Sequence, residues 1–260
     1  MISKNNKSSI INNKYPIIIG WLYPDLMSTY GDRGNIIVLQ KRAEWRDIKV
    51  KLERISLDTE YSILNTCDLL FMGGAQDTQQ EIVNRDLLGK KGKVLVERIE
   101  KGVPGLYICG AYQFLGKYYK TADNKKLPGL GVFKMFTENP GEKHQRLIGN
   151  VIIEPKVEGL TQPMVGFENH GGRTYIEYKN ERLGNVVKGF GNNGKDGSEG
   201  IVYKNSFGSY LHGPILPKNP ELADLLLTLA LEKKYGEKFH LEPLGDSIEQ
   251  KAREAIINKL

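Results

Sequence analysis

The sequence predicts an α/β fold, a largely parallel sheet flanked by helices, with a β-rich second half. Two changes of pattern carry that reading. Over roughly the first 120 residues, short β-branched apolar runs alternate with segments of helical period, the mark of a parallel sheet with helical crossovers. From 128 to 212 the chain instead breaks into short extended segments punctuated by Gly and Asn.

Element by element, "PIIIGWLY" (16–23) is short, apolar and β-branched, so it reads as a buried strand. "YGDRGNIIVLQKRAEWRD" (30–47) follows with apolar residues at helical spacing from Ile36 to Trp45, and Asp32 is placed to cap it. "IKVKLERI" (48–55) alternates like a strand, and "CDLLFMGG" (67–74) is another buried strand ending in a glycine pair. Helix is expected over much of 78–101, then strand over "VPGLYIC" (103–109). In the second half, "GVFKMF", "LIGNVIIEP", "GFENH", "RTYIEY", "GNVVKGF", "GIVYKN" and "GSYLH" are extended, with a loop at "GNNGKDGSEG" (191–200). "NPELADLLLTLALEKKYG" (219–236) returns to helix, with Pro220 at its start and Gly236 at its end. "GDSIEQKAREAIINKL" (245–260) reads as a terminal helix capped near Asp246 or Ser247. The expected organisation is a polar, mobile leader over 1–15, a single domain over 16–240 and a helical extension over 241–260.

Composition narrows the function. The chain has 260 residues, 40% hydrophobic and 26% charged, enough for one large core. No apolar run approaches the roughly 18 residues that would suggest a membrane span, and the N-terminus lacks the apolar stretch of a secretory signal. Two cysteines, Cys67 and Cys109, build neither a disulfide framework nor a four-cysteine zinc site, so a reducing cytoplasm is the expected compartment. The net charge of +6 is spread along the chain without interleaved aromatics, which argues for a solvated basic surface rather than nucleic-acid binding.

Cys109 stands out. It ends a strand, is followed at once by Gly110 and a helical segment, and so projects from the carboxyl edge of the sheet, where open α/β sheets place their ligands. A strand–nucleophile–helix elbow presents the side chain, the helix N-terminus favours thiolate, and the Gly110 N–H is left free to donate to an oxyanion. Gly73 and Gly74, at the end of another strand, are placed to add further N–H donors. Cys67 has none of these features and reads as a structural residue. The thiolate needs a base. Of the four histidines, His144 and His240 lie in polar surroundings and read as surface residues. His170 and His212 each close a short β segment, and spacing alone does not separate them.

"YICGAYQFLG", "GFENHGGR" and "SYLHGP", in that order, resemble the cobyric-acid-synthase-like branch of class I glutamine amidotransferases. With "YGDRGN" and "FENHGGRT" added, residues 16 to 236 look like a glutaminase subunit of lipid II isoglutaminyl synthase. The resemblance implies that Cys109 attacks the side-chain amide of L-glutamine, with His212 as the catalytic histidine. It places Gly73, Gly74 and Gly110 at the oxyanion positions, Gln113 and Arg146 against the substrate, and His170 near the site. It implies no metal and no cofactor in this chain. ATP and any metal are expected on a Mur-ligase-like synthetase partner, in a heterodimer that amidates the D-glutamate α-carboxyl of lipid II. Many class I enzymes carry a glutamate two residues after the histidine; Pro214 stands there. Another acid of this chain, such as Glu168, or one from the partner is then expected to orient His212. Alternative functions are a stand-alone cysteine amidohydrolase, such as a γ-glutamyl hydrolase, and a non-catalytic binding subunit.

Overall fold

The computed structural model describes residues 15–141, 143–178 and 181–259. The expected leader therefore falls almost entirely outside the described residues. The first half alternates as expected: β1 (Ile17–Leu22), α1 (Arg33–Glu44), β2 (Val50–Ile55), β3 (Leu69–Met72), α2 (Asp77–Leu87), α3 (Lys90–Glu100), β4 (Gly105–Ile108) and α4 (Gly110–Leu115). The helical stretch near 78–101 is two helices rather than one. They meet at Gly89, whose φ of −89° and ψ of −146° lie outside the helical region.

The second half supplies β5 (Tyr118–Lys120), β6 (Lys126–Pro128), β7 (Met135–Glu138), β8 (Leu147–Pro155), β9 (Met164–His170) and β10 (Arg173–Ile176). It continues through β11 (Gly184–Lys188), β12 (Ser198–Glu199), β13 (Ile201–Tyr203) and β14 (Ser206–Ser209) to α5 (Pro220–Tyr235) and α6 (Ser247–Ile257). Gly236 closes α5 at φ +73°, the left-handed position that glycine takes without a Cβ penalty.

The central sheet runs β13-β14-β4-β3-β1-β2. All its pairings are parallel except β13 with β14. β3 and β4 are buried along their whole length, as their unbroken apolar sequences require of strands covered on both faces. Because β1, β3, β4 and β14 are parallel, the segments leaving them all emerge at one edge. The other strands form two smaller sheets, β10-β7-β5-β6 and β12-β11-β8-β9. The second of these reaches the central sheet's edge through an antiparallel bridge between Phe167 and His212. Asn219, ahead of α5, fixes the start of β9: its Oδ1 accepts the Val165 N–H at 2.9 Å and its Nδ2 donates to the Val165 carbonyl at 2.8 Å.

The C-terminal helix is tied down by charge. Arg42 of α1, 2% exposed, donates to Asp224 of α5 and to Asp246 just before α6, both at 2.6 Å. Such a buried cation tolerates loss of water because its planar guanidinium is matched by carboxylates on both sides. Asp246 therefore holds α6 to the domain through Arg42; it makes no side-chain cap to the helix it precedes.

Candidate active site

Cys109 sits between β4 and α4 with φ 53° and ψ −103°. That backbone is strained for a residue with a Cβ, and it is held from both ends. The Cys109 N–H donates to the Ser209 carbonyl at 2.8 Å, and the Gln113 N–H donates to the Cys109 carbonyl at 2.9 Å. The elbow expected from "YICGAYQFLG" is present. Its helix is only six residues long, so the charged groups around the sulfur matter more than the helix dipole.

His212 is that neighbour. A Cβ built on Gly74 would lie 2.8 Å from His212 Cε1 and 3.1 Å from Cys109 Cβ, so this glycine lies against both and only its lack of a side chain permits the approach. His212 is fully buried; its N–H donates to the Phe167 carbonyl at 2.8 Å, and Tyr30 presents its ring edge at a centroid distance of 4.9 Å. Burial opposes protonation of the imidazole, but the Cys109 sulfur and the Asp32 carboxylate outweigh it and push the His212 pKa up to about 10.

A carboxylate that the sequence did not suggest, that of Asp32, lies beside His212. Asp32 occupies the N-cap position of α1, but its side chain makes no cap. It turns into the site, where Oδ2 accepts the Gly74 N–H at 2.7 Å and Oδ1 lies 3.5 Å from His212 Nδ1, with both side chains fully buried. Glu168, the acid of this chain suggested by sequence, serves His170 instead: Oε2 lies 3.3 Å from His170 Nε2, and the carboxylate accepts the N–H groups of Phe190 and Gly191. Burial pushes Glu168 up to about 7 and His170 down to about 3. His170 Nδ1 faces the Gly172 carbonyl at 2.8 Å, and its ring stacks on Tyr210 at 3.7 Å. His170 thus lines the site without sharing the position of His212. His144 and His240 are exposed, as expected. Cys67 is buried, with burial pushing its thiol up to about 12.

Of the glycine pair, Gly74 differs from expectation. The Gly74 N–H is occupied by Asp32, and its carbonyl accepts the Thr29 N–H at 3.1 Å. In a trans peptide this directs the next N–H, that of Ala75, to the opposite side. Ala75 N lies 3.3 Å from where a Gly110 Cβ would be. An N–H beside Gly110 is therefore that of Ala75, while the Gly74 N–H is taken by Asp32. A Cβ on Gly73 would lie 2.5 Å from the Met27 carbonyl oxygen. Gln80 Nε2 donates to the Ala75 carbonyl at 2.9 Å and steadies this turn.

Cys109 opens onto a cavity of ≈ 420 Å³ whose lining includes Gln113, Arg146, Asp77 and His170. Gln113 is anchored through Nε2 to the Tyr210 hydroxyl at 3.0 Å, and its Oε1 is buried without a hydrogen-bond partner among the described residues. Arg146 uses its Nε–Nη2 edge on Asn169, at 2.9 Å to Oδ1 and 2.8 Å to the carbonyl. The Nη1–Nη2 edge stays available to a carboxylate, since each terminal nitrogen carries two hydrogens. Burial raises the Asp77 carboxyl while Arg146 opposes that shift, so the cavity carries an anionic and a cationic group together. Among the described residues no group of three or more His, Cys, Asp or Glu is placed to hold a metal ion.

Asp32, Ala75 and Asn169 were not singled out as site residues by sequence. The available signal for Asp32 was position: an acid just beyond β1, at the same sheet edge as Cys109.

Behind the elbow, Glu199 accepts the Ser209 hydroxyl and the Tyr210 N–H, both at 2.8 Å, while burial pushes its carboxyl up to about 7. The native state holds this proton more tightly than the unfolded chain. Stability from Glu199 should therefore decline as pH rises from about 4.5 to about 7. Thermal unfolding midpoints across that window should fall in the native chain and fall less in Glu199→Gln; parallel curves would assign the slope to other groups.

A cysteine on a strained turn, with a buried histidine beside it and a polar cavity in front, suits thiolate chemistry on a small polar substrate. The chain belongs to the family of CobB/CobQ-like glutamine amidotransferase domains, matched over residues 18–220. It is 46% identical over 235 residues to the lipid II isoglutaminyl synthase (glutamine-hydrolyzing) subunit GatD of Staphylococcus aureus strain N315, covering 90% of this chain and 92% of that protein. Identity to the subunit of the same name from Streptococcus pneumoniae strain R6 is 42%, covering 94% of this chain and 91% of that protein. A probable cobyric acid synthase of Methanococcus maripaludis strain C7 is 31% identical over 77% of this chain, but over only 41% of its own length. Among solved structures, a glutamine amidotransferase superposes with a TM-score of 0.56 at 19% identity, covering 82% of this chain and 98% of that one. This likeness bears on the fold. No helix among the described residues is long and apolar enough to cross a membrane.

Proposed function

We propose that this chain is the glutaminase subunit of a lipid II isoglutaminyl synthase. The observation that carries the chemistry is Cys109 on its strained elbow, beside buried His212 and open to a cavity bearing both Arg146 and Asp77. Free glutamine is a zwitterion, and that pair of charges suits its carboxylate and ammonium ends. The sulfur attacks the side-chain amide carbon, and the developing oxyanion is met by the N–H groups of Gly110 and Ala75. His212 gives its proton to the departing nitrogen, the carbon–nitrogen bond breaks, and ammonia leaves. Water then hydrolyses the glutamyl thioester to glutamate and regenerates the thiol.

The similarity to the two subunits named above supports ammonia transfer to a second, Mur-ligase-like subunit. There ATP would activate the D-glutamate α-carboxyl of lipid II, with ATP and any metal held by that partner and not by this chain. The proposal includes a cytoplasmic heterodimer, in which ATP is at hand for the partner. The test is glutamine labelled with 15N in its side-chain amide, incubated with the complex, ATP and a lipid II acceptor. Label in the acceptor's α-carboxamide is expected; label only in free ammonium, with the acceptor unamidated, overturns the transfer role. A stand-alone γ-glutamyl hydrolase would instead cleave γ-glutamyl peptides without any partner.

Arg146 gives a narrower prediction. With no partner for its outer edge among the described residues, Arg146 can grip the α-carboxylate, and Arg146→Ala should raise the glutamine KM by roughly 10- to 100-fold, equivalent to about 1.5–3 kcal/mol for a hydrogen bond to charge. Steady-state ammonia release, with circular dichroism as a folding control, checks this. An unchanged KM would make Arg146 an exposed cation with no part in binding.

A further inference from the structure

Asp32 is a fully buried carboxylate on a turn whose preceding residues, Tyr30 and Gly31, have φ of 58° and 82°. A buried acid is costly unless its oxygens are engaged. Oδ2 is engaged, accepting the Gly74 N–H at 2.7 Å, whereas Oδ1 has no hydrogen-bond partner among the described residues and lies 3.5 Å from His212 Nδ1. Neither His212 ring nitrogen has a hydrogen-bond partner among the described residues. The side chain also forgoes the helix cap that its position would allow. The groups facing the imidazole can be followed element by element. The elbow brings Cys109, the turn before α1 brings Asp32 and the Tyr30 ring edge, and the loop after β3 brings uncharged Gly74. β9 brings the Phe167 backbone and, farther along, His170, which burial keeps neutral. Asp32 is the carboxylate among them, and Glu168 is committed to His170.

We propose that Asp32 is the positioning residue for His212: Oδ1 receives the Nδ1–H of the imidazole and leaves Nε2 to exchange a proton with the Cys109 sulfur. Oδ2 meanwhile holds Gly74, so one carboxylate registers the base against the loop that carries the Ala75 N–H. The proposal rests on the amidotransferase reading and supplies from within this chain the acid missing at Pro214. A carboxylate at this place fixes tautomer and orientation without itself taking the proton.

The decisive variant is Asp32→Asn in the full chain. Its amide oxygen can still accept the Gly74 N–H, but its NH2 then faces Nδ1 and favours the opposite tautomer. Glutamine kcat should fall by roughly 100-fold or more, with KM changed less than about threefold. Loss of the negative charge should lower the pH at which His212 gives up its proton, so the alkaline limb of the rate profile moves down by about one pH unit or more. The pH dependence of Cys109 alkylation by iodoacetamide should move the same way. That second profile needs no glutamine, so a wild-type chain that never released ammonia would sink the amidotransferase reading while Asp32 was still being judged. A histidine 15N spectrum of the wild-type chain needs no variant to fold, and should show His212 protonated at Nδ1 near neutral pH. The proposal is overturned by an unprotonated Nδ1, by Asp32→Asn turnover within threefold of wild type with unmoved profiles, or by full rescue of that variant when the partner subunit is added.

Discussion

Cys109→Ala should abolish ammonia release from glutamine, a loss of roughly 10⁴-fold or more, while the chain keeps its fold. The sulfur makes the bond that splits one difficult hydrolysis into two easier steps, and alanine offers nothing to form it. Folding should survive because the elbow is held by main-chain bonds to Ser209 and from Gln113, which alanine retains. Cys67→Ser is the control, since Cys67 is buried away from the cavity. It should keep most turnover in the molecules that fold, at some cost in stability, because a Gly20 Cβ would lie only 2.7 Å from its sulfur in a tightly packed place. Ammonia release and alkylation with radiolabelled iodoacetamide would be measured together. Normal turnover in Cys109→Ala would remove the assignment.

His212→Ala should match the cysteine variant in severity, because the members of one catalytic unit do not contribute additively. The sulfur would lose the proton store that its departing ammonia requires. His170→Ala should be milder, roughly 10-fold, and should act through KM. His170 supports Tyr210 by stacking, and Tyr210 in turn holds Gln113 at the cavity wall. Parallel kcat and KM measurements separate the two histidines. Full activity at position 212 combined with collapse at 170 would reverse their roles.

Much of this was readable from the chain, and the reasons are local. β1, β3 and β4 are apolar runs too short for helices, and α5 carries both its proline start and its glycine stop. Cys109 was legible because a nucleophile elbow is a local feature of strand, glycine and helix. His212 was legible only through "SYLHGP", since His170 also ends a strand. What escaped was what tertiary contact decides. Asp32 has the sequence position of a helix cap and takes another task because β1 lies beside β3, which brings it against Gly74. Glu168 looked available two residues before His170, but regular alternation along β9 put both on one face and paired them with each other. The placing of the Ala75 N–H opposite that of Gly74 depends on a single peptide's orientation, set by Thr29 from another loop.

The backbone of Cys109 has a further consequence for how this protein can change. A residue with a Cβ held at φ 53° and ψ −103° costs the fold something on the order of 1–3 kcal/mol, which glycine would return in part. At this one position, then, selection for heat resistance and selection for catalysis pull in opposite directions. A population of variants screened only for survival on heating would accumulate glycine where the nucleophile belongs, and the hardiest of them would be inert.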